Sequence, residues 1–177
     1  GQFDSALSHI SKTIELEPFS ERAWLIKSLI LKFNHRFRDA INLLNNLITR
    51  FSDNPQYINQ KVECHYWLNE KDSVLYYAAS GKGPLHDYIF WQAVCNQDKI
   101  KLEQHLRQQD SLSPLDNETL ATYYVFLHQN QKALSWKEEA DNKNEFSWLK
   151  YLNVSPTWDA LHKEPRFKNI LLKMGFK

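Results

Sequence analysis

The chain has 177 residues, of which 42% are apolar and 24% are charged, as in an ordinary globular protein. Twenty-two Lys and Arg residues against 21 Asp and Glu residues leave a net charge of +1, which excludes the strongly basic surface typical of nucleic-acid-binding domains. Only four glycines but 14% aromatic residues disfavour sheet folds with many tight turns and favour packed helices.

The longest uncharged apolar runs are a few residues long, far short of the roughly 20 residues that cross a bilayer. We therefore predict no membrane insertion by this chain and, from the balanced charge, no direct binding to nucleic acid. The sequence carries no signal-peptide pattern. Gly1 falls inside a pattern that should have begun earlier, so we expect the chain to be part of a longer protein.

The first segment of the chain recurs 34 residues later, and such a period is typical of repeat proteins. Residues 3–18 align with residues 37–52, and small or apolar residues coincide in three pairs: Phe3 with Phe37, Ala6 with Ala40, and Ile10 with Leu44. Val74 follows Ala40 at the same step. The segment between the two copies is apolar at Trp24, Leu25 and Leu29, and Ser28 is small enough for a neighbouring helix to approach closely.

A 34-residue helix–turn–helix unit resembles the tetratricopeptide repeat (TPR). The residues on its characteristic positions are Trp24, Ser28, Phe37, Ala40, Leu44 and Leu47, with Pro18 as the closing proline. The resemblance implies an all-α fold, a right-handed superhelical solenoid of antiparallel helix pairs with a C-terminal capping helix. It further implies that residues 1–177 form a single TPR-like domain.

The resemblance divides the chain into six segments. They are the second helix of a truncated repeat (1–20), a full repeat (21–54), two degenerate repeats (55–82 and 83–112), a clearer repeat (113–143) and the cap (144–177). Ile58 and Val74 replace the usual Trp and Ala in the third segment, whereas Ala121, Tyr124, Ala133 and Ala140 hold the repeat positions in the fifth. Pro55, Pro84, Pro114 and Pro165 each stand where a helix can begin.

The last segment is unusually apolar for a chain end. We predict a helix with Trp148, Leu149 and Leu152, a turn with Trp158 and Leu161, and a final helix from Pro165. That helix would carry Phe167, Ile170, Leu171 and Met174 and end at Gly175. Since the last repeat of a solenoid exposes an apolar face, this tail is expected to cover it.

The tail also resembles the ending of TPR modules in bacterial signalling proteins, which include CadC/ToxR-like transmembrane winged-helix activators, adenylate cyclases and protein kinases. The matching residues are Pro156, Trp158, Asp159, Leu161, Pro165, Arg166, Phe167, Leu171 and Gly175. The resemblance implies a bacterial protein, located in the periplasm if it is a CadC/ToxR-like regulator and otherwise in the cytoplasm.

Residues that could carry chemistry are scattered. Seven histidines occur singly, Cys64-His65 is the only place where a cysteine and a histidine are adjacent, and "SGKGP" at 80–84 lacks the flanking residues of a phosphate-binding loop. Glu138, Glu139 and Asp141 are assigned to a solvated helix face. We therefore predict no catalytic residue, no cofactor and no metal, and hence no enzyme activity.

The two cysteines should lie on the first helices of adjacent repeats, which pack side by side. A disulfide between Cys64 and Cys95 is geometrically conceivable and would imply an oxidising compartment. Two buried free thiols are the favoured interpretation.

By the TPR resemblance, the first helix of each pair lines a concave face that binds an extended peptide or a partner helix. The residues on it are Arg22, Leu25, Leu29, Lys32, Gln56, Asn59, Glu63, Tyr66, Glu118 and Thr122. This predicts a non-catalytic protein–protein interaction module of a larger bacterial protein. The alternatives are a sensory or dimerisation domain of a membrane-bound winged-helix activator, in which case a homodimer is possible, and a regulatory module fused to a signalling enzyme.

Overall fold

A computed structural model describes residues 2–51, 54–80, 88–143 and 151–176. These residues form ten α-helices and one 3-10 helix, and none of them lies in a strand. The α-helices are α1 (Gln2–Leu16), α2 (Glu21–Phe33), α3 (Phe37–Phe51), α4 (Pro55–Trp67), α5 (Lys71–Ala78), α6 (Tyr88–Cys95), α7 (Lys99–Leu112), α8 (Asn117–Phe126), α9 (Asn130–Asn142) and α10 (Pro165–Lys173). The prediction of an all-α protein is confirmed.

The chain forms two compact units, Gly1–Cys95 and Asn96–Lys177. In the first unit, each of the helices α1 to α5 packs against the next one along the chain, as far as α6. Ala40 and Leu44, which define the 34-residue period, are fully shielded from solvent, and so is Val74. The period therefore marks the residues of α3 and α5 that are buried between helices.

The starts of α2 and α4 are fixed by side chains at their N-caps. The Ser20 hydroxyl accepts a hydrogen bond from Ala23 N–H, and Asn54 Oδ1 accepts one from Gln56 N–H at 3.0 Å. Pro55 occupies the first turn of α4, where its missing N–H costs nothing. Asn54 also donates to Glu21 Oε1 at 3.0 Å, which links the first turns of the two helices.

One turn geometry recurs after α2, α4 and α8. The second residue after each helix is in the left-handed region. Its N–H donates to the carbonyl three residues back, and the next N–H donates to the carbonyl five residues back. The left-handed residues are His35, Asn69 and His128, with φ of 55°, 58° and 58°. The turn after α6 contains a fourth one, Gln97, with φ of 55°.

The end of α10 has the same two hydrogen bonds, from Gly175 N–H to Leu172 O and from Phe176 N–H to Leu171 O, both at 3.0 Å. Gly175 has φ of +85°, so the prediction that it terminates the last helix is confirmed.

Pro165 begins α10 as predicted. The prediction for Pro114 is wrong: α8 begins at Asn117, because Asp116 accepts from Thr119 N–H and acts as the N-cap. Pro84 lies outside the described residues.

In the second unit, the apolar residues of the tail are buried against α8 and α9. Pro156–Leu161 form the 3-10 helix, which contains the Trp158 and Leu161 of the predicted turn. Trp158 and Phe167 stack with their ring centroids 6.2 Å apart. They share one cluster with Ala121, Leu134, Leu152, Leu161 and Ile170, all buried. The predicted Trp148 and Leu149 lie outside the described residues.

Arg166 adds a polar link between α10 and α9. Its Nη2 donates to Glu138 Oε2 at 2.7 Å and its Nε to Glu138 Oε1 at 3.2 Å. Its Nη1 donates to Gln131 Oε1 at 2.8 Å, and Nη2 also reaches Ser135 Oγ at 3.2 Å. The hydrogen bonds from Arg166 to Glu138 lower the pKa of Glu138 below its ordinary value. The guanidinium of Arg166 therefore contacts three residues of α9 that are spaced by about one helical turn.

Candidate functional site

Eight of the ten predicted partner-binding residues lie on two helices of the first unit that contact each other. We call them the α2–α4 face: Arg22, Leu25, Leu29 and Lys32 on α2, and Gln56, Asn59, Glu63 and Tyr66 on α4. Each residue on α2 has its counterpart on α4 exactly one 34-residue step later. The spacing of three, four and three residues keeps each set on one side of its helix.

Exposure changes along this face from the N-terminal to the C-terminal ends of the helices. Arg22 and Gln56, in the first turns, are exposed, and Leu25, Leu29 and Asn59 are partly buried. Lys32, near the end of α2, is only 6% exposed. Glu63 and Tyr66 are partly buried as well, so the fully exposed residues of the face are those in the first turns. The N-terminal half of the face combines one cation, two amides and two leucines.

The two charges at the other end neutralise each other. Lys32 Nζ lies 2.6 Å from Glu63 Oε2, and the ammonium also lies 5.2 Å from the centre of the Phe33 ring. An ammonium this strongly buried needs a carboxylate partner, because its desolvation is costly. Lys32 and Glu63 therefore join α2 to α4, and neither is a free charge for a partner.

Tyr66 connects the face to α6 of the same unit. Its ring contacts the Trp91 ring of α6, with centroids 5.4 Å apart, and the Trp67 ring at 4.9 Å. Burial raises the pKa of Tyr66, so the phenol is neutral at physiological pH. A neutral phenol can both donate and accept a hydrogen bond.

Asn59 has a buried side-chain oxygen that accepts no hydrogen bond. The side chain is partly exposed, but its Oδ1 is shielded from solvent and has no hydrogen-bond partner among the described residues. On the neighbouring positions, by contrast, Ser28 and Gln60 hydrogen bond to each other across α2 and α4 at 3.0 Å. A buried acceptor without a donor is destabilising, and a ligand N–H could satisfy it after a rotation of the amide.

The other two predicted residues, Glu118 and Thr122, lie on α8 in the second unit. Glu118 pairs with Lys137 of α9, whose side chain is completely shielded from solvent. The Thr122 hydroxyl donates to the backbone carbonyl of Glu118 at 3.0 Å. Both polar groups are thus already engaged in contacts within their own unit.

The sequence patterns missed a pocket between α3 and α5, which we call the Lys61 pocket. It has a volume of about 530 Å³ and is lined by Asn45, Ile48, Thr49, Ile58, Lys61, Tyr76, Tyr77, Ala79 and Ser80. Lys61 is only 5% exposed, and its Nζ lies 3.7 Å from the centre of the Tyr77 ring. The signal that could have revealed it is a charge on the buried stripe of α4, between Tyr57 and Cys64.

Both cysteines are free, as in the favoured interpretation of two buried free thiols, but only Cys64 is buried. Cys64 is buried, and this burial raises the pKa of its thiol to about 12. Cys95 is partly exposed, and burial raises its pKa as well. The charges of Lys32 and Lys71 act to lower the pKa values of Cys64 and Cys95 respectively, but burial outweighs them, so neither thiol has the low pKa of a reactive cysteine.

The described part of the chain contains neither a metal-binding cluster nor a membrane-spanning helix. Within the described ranges, no group of three or more His, Cys, Asp or Glu residues is arranged to hold a metal ion. In the same ranges, no helix has both the length and the apolar character that crossing a bilayer requires.

No family model, no curated protein and no solved structure matches this chain. Its resemblance to the TPR family therefore rests on the 34-residue period and on the residues at the repeat positions.

Proposed function

We propose that this chain is a TPR-like, right-handed superhelical solenoid and acts as a non-catalytic protein–protein interaction module of a larger bacterial protein. The N-terminal half of the α2–α4 face would bind an extended peptide segment of the partner. This face carries side chains on two adjacent helices, in the register of the repeat. The observation that carries the proposal is the shielded, unpartnered Oδ1 of Asn59, at the middle of the face.

The chemistry of the N-terminal half suits an extended backbone. Gln56 and Asn59 can each offer a donor and an acceptor to a peptide unit, so they can bind main-chain groups whatever the side chains of the partner. Leu25 and Leu29 are partly buried and supply apolar surface beside these amides. Arg22, which is exposed, favours an acidic residue or a C-terminal carboxylate at one end of the peptide.

The C-terminal half of the face has a different role in this proposal. Because Lys32 and Glu63 neutralise each other, a second salt bridge to the partner would require this pair to be broken. We therefore infer that the pair and Tyr66 hold the helices at a fixed distance and that they contribute to binding only indirectly.

The proposal can be tested with peptides selected by the purified chain from a displayed random library. Binding of a selected peptide is measured by calorimetry for the wild type, Gln56→Ala and Asn59→Leu. Each change should weaken binding by about tenfold, the effect of losing one or two hydrogen bonds to a ligand. The unfolding free energy should change by no more than about 0.5 kcal/mol, because Gln56 is exposed and Asn59→Leu removes an unsatisfied oxygen.

The matched controls are Asn42→Ala and Asn46→Ala, which truncate exposed side chains on α3. They should leave the affinity for the peptide unchanged. Failure to select any peptide, or equal losses in the α3 controls, would refute binding on the α2–α4 face.

A further inference from the structure

The described residues include three strongly buried lysines, and one of them lacks a carboxylate. Lys32 pairs with Glu63 and Lys137 pairs with Glu118. Lys61, which is 5% exposed, has neither an ion pair nor a hydrogen bond with any described residue. Its Nζ lies instead over the face of the Tyr77 ring.

An aromatic ring only partly replaces a counter-ion. The attraction of a cation to a ring face is weaker than the cost of taking an ammonium out of water. Tyr77 is also stacked on His65, with centroids 5.3 Å apart and an angle of 13° between the planes. The ring is therefore held in place beside the ammonium, and Lys61 is also one of the residues that line the pocket.

The pocket offers a ligand a mainly apolar wall and few donors. Ile48, Ile58 and the two tyrosines supply the apolar surface. The Thr49 and Ser80 hydroxyls already donate to backbone carbonyls, of Asn45 and Tyr77 respectively. Asn45 and the two phenols remain as neutral donors, and Lys61 is the one cation among the described residues that line the pocket. The volume of about 530 Å³ lies within the range of about 300–1,000 Å³ for small-molecule sites.

We propose that the Lys61 pocket binds a small organic anion, whose acidic group pairs with Lys61 Nζ and whose apolar body lies against Ile48 and Ile58. The anion supplies the counter-charge that the protein provides for its other two buried lysines. This site lies between α3 and α5 and does not depend on peptide binding at the α2–α4 face.

The chain contains a matched control for this lysine. Lys27 precedes Lys61 by one 34-residue step and also lies near an aromatic ring, with its Nζ 5.7 Å from the centre of Trp24. Lys27 Nζ donates to Ser11 Oγ at 3.2 Å, so it has a polar partner of its own. Replacing Lys27 removes one positive charge at the equivalent position without touching the pocket.

The probes are anilinonaphthalene sulfonate, a fluorescent organic anion, and phenylnaphthylamine, which has the same rings without the sulfonate. Fluorescence titrations are made with the wild type, Lys61→Met, Lys61→Arg and Lys27→Met. We expect Lys61→Met to weaken binding of the anion by about tenfold or more and to leave binding of the neutral probe within about twofold. Lys61→Arg keeps the charge and should retain most of the affinity for the anion, and Lys27→Met should behave as the wild type.

Chemical shifts of the backbone amides locate the probe on the wild-type protein. Perturbations should centre on Thr49, Ile58 and Ser80, which line the pocket. Three outcomes would overturn the proposal: no saturable binding of the anion to the wild type, equal affinities for Lys61→Met and the wild type, or shifts centred elsewhere on the chain.

Discussion

Lys137 and Glu118 form an ion pair in which the lysine side chain is fully shielded from solvent and the glutamate side chain is 14% exposed. The pair joins α9 to the first turn of α8. The ammonium also lies 5.0 Å from the centre of the Trp158 ring, so the same lysine is in contact with the tail. The two partners are unequally buried, and their replacements should therefore differ in cost.

Glu118→Gln should lower the free energy of unfolding by about 3–5 kcal/mol, because it leaves a buried ammonium without its counter-charge. Lys137→Met should cost less than half as much, since the partly exposed Glu118 can be hydrated and favours the N-terminus of α8. Urea unfolding of the two variants measures the difference. Equal losses would show that the pair acts only through packing.

The Glu118→Gln variant should regain stability as the pH rises. Burial already lowers the pKa of Lys137 below its ordinary value of 10.5, and loss of the nearby carboxylate removes an opposing effect that raises it. Since the unfolded chain then binds the proton more tightly than the folded chain, stability increases with pH up to about 10.5. At pH 7 we expect Glu118→Gln to have a lower free energy of unfolding than the double variant Glu118→Gln/Lys137→Met. This difference should shrink between pH 7 and pH 10.

The stacked aromatic residues of the tail should be essential for the stability of the second unit. Trp158 and Phe167 are 4% and 0% exposed, and truncating a buried aromatic to Ala costs about 3–5 kcal/mol. Leu172→Ala is the control, because Leu172 lies on the same helix as Phe167 but is 63% exposed. It should change the unfolding free energy by no more than about 0.5 kcal/mol.

Deletion of residues 155–177 should uncover the apolar residues of α8 and α9 that the tail now covers, Ala121 and Leu134 among them. We expect aggregation or a dimer formed through this surface, as detected by light scattering. A truncated chain that remains monomeric and equally stable would contradict a structural role for the tail.

The left-handed residues at the helix ends offer sites for stabilisation. His35→Gly and His128→Gly should each raise the free energy of unfolding by about 1 kcal/mol, because only glycine adopts positive φ without strain. Asn69→Gly should gain less, since asparagine tolerates this region better. Conversely, Gly175→Ala should cost about 1 kcal/mol through φ alone, because no atom lies within 4 Å of the added Cβ. Urea denaturation of the single variants measures these effects.

The two thiols should react with a disulfide reagent at very different rates. Cys64 is buried with a pKa of about 12, so almost no thiolate is present at pH 8 and modification must await unfolding. Cys95 is partly exposed and should react first. Titration of native protein should therefore show one accessible thiol, and a second only in denaturant. Two thiols of equal rate would contradict the buried position of Cys64.

Much of the helical fold was predictable, because it depends on local patterns. The 34-residue period identified Ala40, Leu44 and Val74, which are all buried between helices. Pro55 and Gly175 marked a helix start and a helix end, since each restricts or frees the backbone at one position. Pro114 failed as a start signal because a better N-cap, Asp116, lies two residues later.

The sequence did not predict the features in which tertiary contacts override the usual preference of a residue for a backbone conformation or for solvent. The left-handed residues at 35, 69 and 128 are two histidines and an asparagine, so no glycine in the sequence indicated these turns. Lys32 was assigned to the partner-binding face and no pattern marked Lys61 or Lys137, but all three are buried, because an aliphatic stem can be buried when the ammonium finds a partner. Which partner a buried lysine meets is decided by the neighbouring helix, and spacing along one helix contains no such information.

The contacts of Arg166 specify how far along α9 the last helix is placed. Gln131, Ser135 and Glu138 follow one another at intervals of about one turn, and the guanidinium reaches all three. A displacement of α10 by one turn, about 5.4 Å, would break the two-pronged contact with Glu138. The tail could therefore be transplanted as a terminal element onto another helix that presents Gln, Ser and Glu with this spacing, and the arginine would set its register there.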